Sequence, residues 1–139
     1  MDAVATFNAV RKRFHTEVAK PRDLRVFHDN QPTETVASGC HLQIDVDGPG
    51  QMVAAAGPGG SRWRTSCRAM VTLWVPAANG DDEALLELGN AIKAAFRGVI
   101  LTDPFVYFEM EPEFVGRAVR EGAHCQRLMS IPFEAEEIA

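Results

Sequence analysis

Cysteine is scarce: three residues, Cys40, Cys67 and Cys125, stand in a chain of 139. An odd number at no recognised spacing excludes a multi-bridge scaffold and leaves room for one disulfide at most. Free, mostly buried thiols in a reducing compartment are therefore expected. Long apolar runs are absent as well. No stretch approaches the roughly 18 apolar residues that a membrane-crossing helix needs. The opening MDAVATFNAVRKRF has no apolar run behind a basic start, so no secretory leader is expected and the chain reads as soluble and made in the cytosol. Basic charge is short too: 14 Lys and Arg face 19 Asp and Glu, a formal net charge of −5. A duplex-binding domain normally carries a basic footprint, and this balance argues against one.

What is present is the composition of one ordinary globular domain, with 46% hydrophobic and 24% charged residues. A domain of this size buries roughly two-thirds of its unfolded surface, enough to fold without disulfides or a metal. Residues 1–139 read as a single domain. Its charges are clustered: acids at 81–87, 109–113 and 134–137, arginines at 62–68 and around the first helix. Opposite patches on one chain fit complementary surfaces, copies of that chain included.

The clearest fold signal runs from Arg62 to Gly98. Cys67, Ala69, Val71, Leu73 and Val75 alternate with Arg68, Met70, Thr72 and Trp74, the period of a strand. Pro76 cannot donate to a ladder and helps end it. Asn79-Gly80 predicts a turn, and Asp81 or Asp82 a helix cap. Leu85, Leu88, Ile92, Ala95, Phe96 and Val99 then form one apolar helical stripe. A second stripe, Val4, Phe7, Val10, Phe14 and Val18, predicts a helix over 2–19 that Pro21 closes. Leu24 to Phe27 predicts a short strand. Cys40, Leu42, Ile44 and Val46 predict a half-buried antiparallel one. Residues 48–61, rich in glycine and proline, predict a flexible hairpin excursion. Strands are expected at 105–110, broken by Pro112, then near Phe114 to Val119 and at 126–133, with a mobile acidic tail at 134–139. The sum is an α+β fold: a mostly antiparallel sheet packed by two amphipathic helices.

The glycine-rich run ends in no Gly-Lys-Ser/Thr and precedes a strand, so no phosphate loop is expected. Cys40-His41 and His124-Cys125 are neighbours on strands and face opposite sides, which speaks against a shared metal. The serines sit in no nucleophile-elbow pattern. Glu109, Glu111 and Glu113 alternate as on a solvated sheet edge, and nothing completes an acid/base pair with them. No catalytic, cofactor-binding or metal residues are expected. Arg62, Arg64 and Arg68 share one strand face with Trp63 opposite, and these residue types are favoured at interfaces. Together with Gln51 and Met52 of the excursion and the acids Glu109 and Glu111, they are the candidate subunit or partner contacts.

Across residues 4–133 the pattern resembles the tail terminator family of long-tailed phages and phage-derived gene transfer particles. The features that carry the resemblance are the opening helix with Phe7, Val10 and Phe14, then LRVFHDNQP, HLQIDV, the glycine-rich excursion and SCRAMVTLWVP. NGDDEALLELGNAIKAAFRG is the nearest match, and MSIPFE closes it. The resemblance implies a virion protein, made in the host cytoplasm and placed at the tail–neck junction. It implies a homo-hexameric ring that caps the tail tube, stops its polymerisation and meets the head connector. DNA would pass the lumen without specific binding, which the negative net charge suits. No reaction, cofactor or membrane is implied. A head-closure or neck adaptor, a minor tail protein, and a small-molecule-binding α+β domain are the alternatives.

Overall fold

The computed structural model describes the chain except residues 30, 32–35, 58–59, 78–81 and 139. The side chains of residues 49–57 and 138, within strands, also lie outside the description. Asp2 opens α1 (Ala3–Phe14), its carboxylate accepting from the Ala5 amide at 3.1 Å. A π-helical segment, His15–Ala19, and a short α2, Lys20–Arg22, continue the path. The helical path therefore runs through Pro21 rather than closing before it. Pro21 follows the π-helical turn, in which the Lys20 amide bonds the His15 carbonyl, and the Arg22 guanidinium donates to the Glu17 and Val18 carbonyls of that turn. Asp23, at φ 52°, ends the run in the left-handed region.

The strands are β1 (Arg25–His28), β2 (Gly39–Gly57), β3 (Gly60–Pro76), β4 (Ile100–Thr102), β5 (Phe105–Tyr107), β6 (Glu113–Glu121) and β7 (His124–Ile138); α3 spans Glu83–Phe96 between β3 and β4. They form one seven-stranded sheet in the order β1-β2-β3-β7-β5-β4. β1 pairs with β2 in parallel, and every other pairing is antiparallel. The far edge of β7 serves two strands: β6 along His124 to Ser130 and β5 along Glu134 to Glu136. The architecture is α+β, with a mixed sheet.

Two expectations are corrected. The glycine-rich segment from residue 48 to 57 is not a loop but the distal half of β2, paired to β3 as far as Gly57 opposite Gly60. Its glycines serve a ladder irregularity between Val46 and Gln51, where Gly48 takes φ 84°. The acidic stretch from Glu134 is no free tail either. It extends β7 to Ile138, because Glu134 and Glu136 alternate with the buried Ala135 and lie across from Ser66 and Arg64. Together β2, β3 and β7 form the distal arm of the sheet, with β5 beside Glu134 to Glu136.

Both long helices cover one face of the sheet. Cys40, Leu42 and Ile44 from β2, Cys67 to Val75 at alternate positions of β3, and Met129, Ile131 and Phe133 from β7 meet Val10, Phe14, Leu85, Ile92 and Phe96. Four phenylalanines link the layers, with centroids 6.4 Å apart for Phe14–Phe96, 5.0 Å for Phe96–Phe108 and 5.6 Å for Phe108–Phe133. Asp82 stands at the N-cap of α3 without a capping side-chain bond; Asp81 and Asn79-Gly80 lie outside the described residues. The stripe of α3 is buried as far as Phe96, and Val99 is half-buried. On α1, Val4 is exposed at the start of its stripe.

All three cysteines are free, Cys40 and Cys67 buried and Cys125 half-buried. Burial pushes the Cys40 thiol up to about 12 and, with nearby carboxylates, the Cys67 thiol up to about 11. Thiolate is the reactive form. A thiol titration of the native protein at pH 8 should therefore count one fast group, Cys125, and three after unfolding. Fast reaction of Cys40 in a Cys125→Ser variant would contradict the burial.

Candidate functional site

Residues directly opposite in an antiparallel ladder share a face. The registers therefore define the sheet face that no long helix covers. It carries Arg62, Arg64, Ser66, Arg68, Met70, Thr72 and Trp74 of β3, beside Glu136, Glu134, Ser130 and Leu128 of β7. At one end Trp74 is buried, stacked on Phe27 of β1 at 5.8 Å with Gly39 against its ring. The alternation places Trp74 only on the face of Arg68, Met70 and Thr72. The aromatic stack from β1 is a tertiary contact that periodicity cannot show.

Along the arm this face is a charge ladder within one chain. Glu136, its side chain 9% exposed, accepts from Arg62 at 2.6 Å and from the Tyr107 hydroxyl at 3.0 Å, with Arg64 at 3.5 Å. Glu134 accepts from Ser66 at 3.1 Å and lies 4.0 Å from Arg64. Arg68 reaches Asp47 at 3.0 Å and the Ser130 hydroxyl at 2.6 Å. Burial and the bond to Glu136 push the Tyr107 hydroxyl up to about 12. On the opposite face, half-buried Trp63 lies across from Glu137, whose carboxylate holds the amino group of Met1.

The structure thus brings Arg62, Arg64 and Arg68 together, and their carboxylate partners come from β7 and β2 of the same chain. Gln51 and Met52 stand in β2 across from Thr65 and Arg64, their side chains outside the described residues. Glu109 and Glu111 lie apart from this ladder. They are not on a strand: the segment between β5 and β6 is irregular up to Pro112. Glu111 accepts from Arg97 at 2.8 Å and sits 3.7 Å from Lys93, and the Arg97 bond holds its carboxyl below the ordinary value.

These partners turn the arginine ladder into a stability element as well as a surface. Exposed ion pairs contribute little each, but Arg64→Glu with Arg68→Glu faces carboxylates with carboxylates and should lower the melting temperature at low salt. The loss should shrink in molar salt. Thermal melts at low and high salt check this, and a melting temperature unmoved at low salt would contradict the ladder.

The strand expected near Phe114 to Val119 is β6, which runs from Glu113 to Glu121. It pairs with β7 on one side only and is the outer strand there. Phe114 turns inward, its ring over Gly89 of α3 and under the Arg127 guanidinium at 4.0 Å. Val115 and Val119 lie on the uncovered face, 46% and 59% exposed. A bulge with Gly116 at φ 75° separates them. The available signal was the alternation of EFVGRAVRE, which the glycine interrupts.

Elsewhere, an open groove of about 440 Å³ lies between α1 and β4, lined by Lys12, Arg13, Glu17, Ile100 and Asp103 among others. Its Arg13 is committed to the Ala95 carbonyl at 2.6 Å. Among the described residues no group of three or more His, Cys, Asp or Glu gathers as metal ligands. His124 Nε2 lies 3.0 Å from the Val36 carbonyl.

No protein-family model matches the chain, and no curated protein matches it. Solved structures do. One, whose name is a bare sequence label, shares 13% identity at a TM-score of 0.65 and covers 95% of this chain and 96% of that one. The fold is a recurring one. A second, from the virion of a native gene transfer agent particle, shares 16% identity at a TM-score of 0.44, covering 94% of this chain and 92% of that one. The first likeness establishes the fold and nothing finer, and the second is too low in TM-score to argue from.

Proposed function

We propose that the chain is a structural protein of a phage-like particle, a tail terminator whose copies close into a ring on the tail tube. The observation that carries this reading is the one-sided sheet. Helices seal one face, while the other leaves Val115 and Val119 exposed beside half-buried Leu128 and Met70. Apolar side chains left on an uncovered sheet face, among Thr72, Gln126 and Ser130, suit a protein contact. The sequence resemblance over residues 4–133 supplies the kind of contact. In this reading six copies form a ring that ends tube growth, its other surface meets the head connector, and DNA crosses the lumen without specific binding. The part is geometric: it needs a closed ring with one tube-matching face, and no reaction or cofactor.

Electron microscopy of the protein, alone and with tail tubes of the same particle, tests the proposal. Rings seated on one tube end, with growth halted there, are expected. A protein that stays monomeric and ignores the tubes would overturn it in favour of a neck adaptor or a ligand-binding domain.

A further inference from the structure

We infer that β1 is a pH-gated latch: protonation of His28 at its end frees the strand from β2 and uncovers Trp74.

β1 is lightly tethered. Its four residues pair with β2 alone, Arg25 to His28 beside Gly39 to Leu42. Phe27 stands on the uncovered face, stacked on Trp74 at 5.8 Å. Val26 and His28 alternate to the helix-covered face, beside buried Cys40 and Leu42, and β1 packs there on the π-helical segment. The His28 backbone is satisfied: its amide donates to Gln31 Oε1 at 2.7 Å, and its carbonyl accepts from the Gln31 amide at 3.1 Å. The ring is not. Its Nδ1 is buried and has no hydrogen-bond partner among the described residues.

The neighbours decide what a proton does there. The charged and titratable groups around the ring are Arg11 of α1, His15 of the π-helical segment, Asp29 in the adjoining turn and His41 of β2. A neutral imidazole leaves Nδ1 as a bare acceptor. Protonation turns it into a cation with a buried, unpaired N–H beside the Arg11 guanidinium, and such a group is costly. Asp29 opposes this, and its Oδ1 is also buried without a partner. Desolvation and Arg11 outweigh it and hold His28 below the ordinary imidazole value. The sign follows from proton counting. A freed β1 carries an ordinary imidazole, protonated near pH ~6.5, and the docked one takes its proton lower. The docked state therefore binds fewer protons in that window, and docking weakens as pH falls below about 6.5. β1, held by four residues, gives way, while the long ladders of β3 with β2 and β7 remain.

Trp74 reports the latch. In the full chain with Trp63→Phe, Trp74 is the one tryptophan left, and acrylamide quenching follows it from about pH 7.5 to about pH 5.5. Quenching should rise as the opening equilibrium shifts about threefold or more, with far-UV circular dichroism unchanged. His28→Gln, which gains no proton, should flatten the profile, and Arg11→Gln, which removes the opposing cation, should make it shallower. An NMR titration of the wild-type imidazoles needs no variant: His28 should titrate below the ordinary value. Titration at or above that value overturns the latch, as does an unaltered quenching profile in His28→Gln. Better protection of Trp74 in acid would mean that His28 and Asp29 pair and tighten the strand, which also refutes it. Loss of circular dichroism together with Trp74 burial would make the response global unfolding and not a latch. None of these outcomes depends on whether copies form a ring.

Discussion

Phe96→Ala is expected to lower stability by about 3–5 kcal/mol, the largest single loss in the molecule. Phe96 is fully buried, and it is where the layers meet: Phe14 of the first helix on one side, Phe108 on the other. Truncation removes the transfer energy of the ring and leaves a cavity between elements that a rigid sheet cannot close. Two aromatic contacts go with it, each about 0.5–1.5 kcal/mol beyond burial. A urea titration should show the midpoint falling at unchanged slope, with Tm down by roughly 10–20 °C. A loss below about 1 kcal/mol would mean that the helices and sheet meet elsewhere.

Gly89→Leu should have the second largest effect, about 1–3 kcal/mol. Glycine inside a helix normally costs about 1 kcal/mol against alanine, so its presence in α3 needs a reason. The reason is Phe114: a Cβ at residue 89 would lie 2.4 Å from its ring. A leucine there has to lift the ring, which Arg127 covers at 4.0 Å, and β6 with it. Stability and ring assembly should fall together, and Phe114→Ala in the same chain should restore part of the stability. If Gly89→Leu melts at or above the wild-type temperature, Phe114 does not seat β6 on the helix.

Much of this fold could be read from the sequence where one period governs one element. β3 and α3 each bury a single face against a single neighbour, so Cys67 to Val75 and Leu85 to Phe96 announce themselves. The arm could not be read that way. Its distal strand, GPGQMVAAAG, is rich in Gly and Ala, which are depleted in strands, and its Gly-Pro-Gly start signals a loop; pairing with β3 makes it extended. Glu134 and Glu136 look like a solvated tail until Arg62, Arg64 and Tyr107 are placed beside them, and those partners are more than 25 residues away in sequence. The arginines themselves were legible as a cluster. That their carboxylates come from the same chain was not, because charge clustering carries no information about which surface a partner belongs to. β6 was legible as a strand near Phe114 to Val119, but its place at the outside of the sheet is a property of sheet order, which no local pattern encodes.

The place of β7 in the sheet also has a consequence for the nascent chain. It is synthesised after every strand it holds together: β3 along one edge, β5 and β6 along the other. While the ribosome is still short of residue 124, the β2–β3 hairpin can close, but its core face and the stripes of both helices have no finished sheet to cover. The contacts that complete it are non-local, from Arg62 opposite Ile138 to Pro76 opposite His124, and such pairings form late. β6 becomes a strand only when β7 arrives. The outer strand of the sheet on that side therefore cannot be finished before translation has passed residue 130, and a half-made chain carries an incomplete sheet.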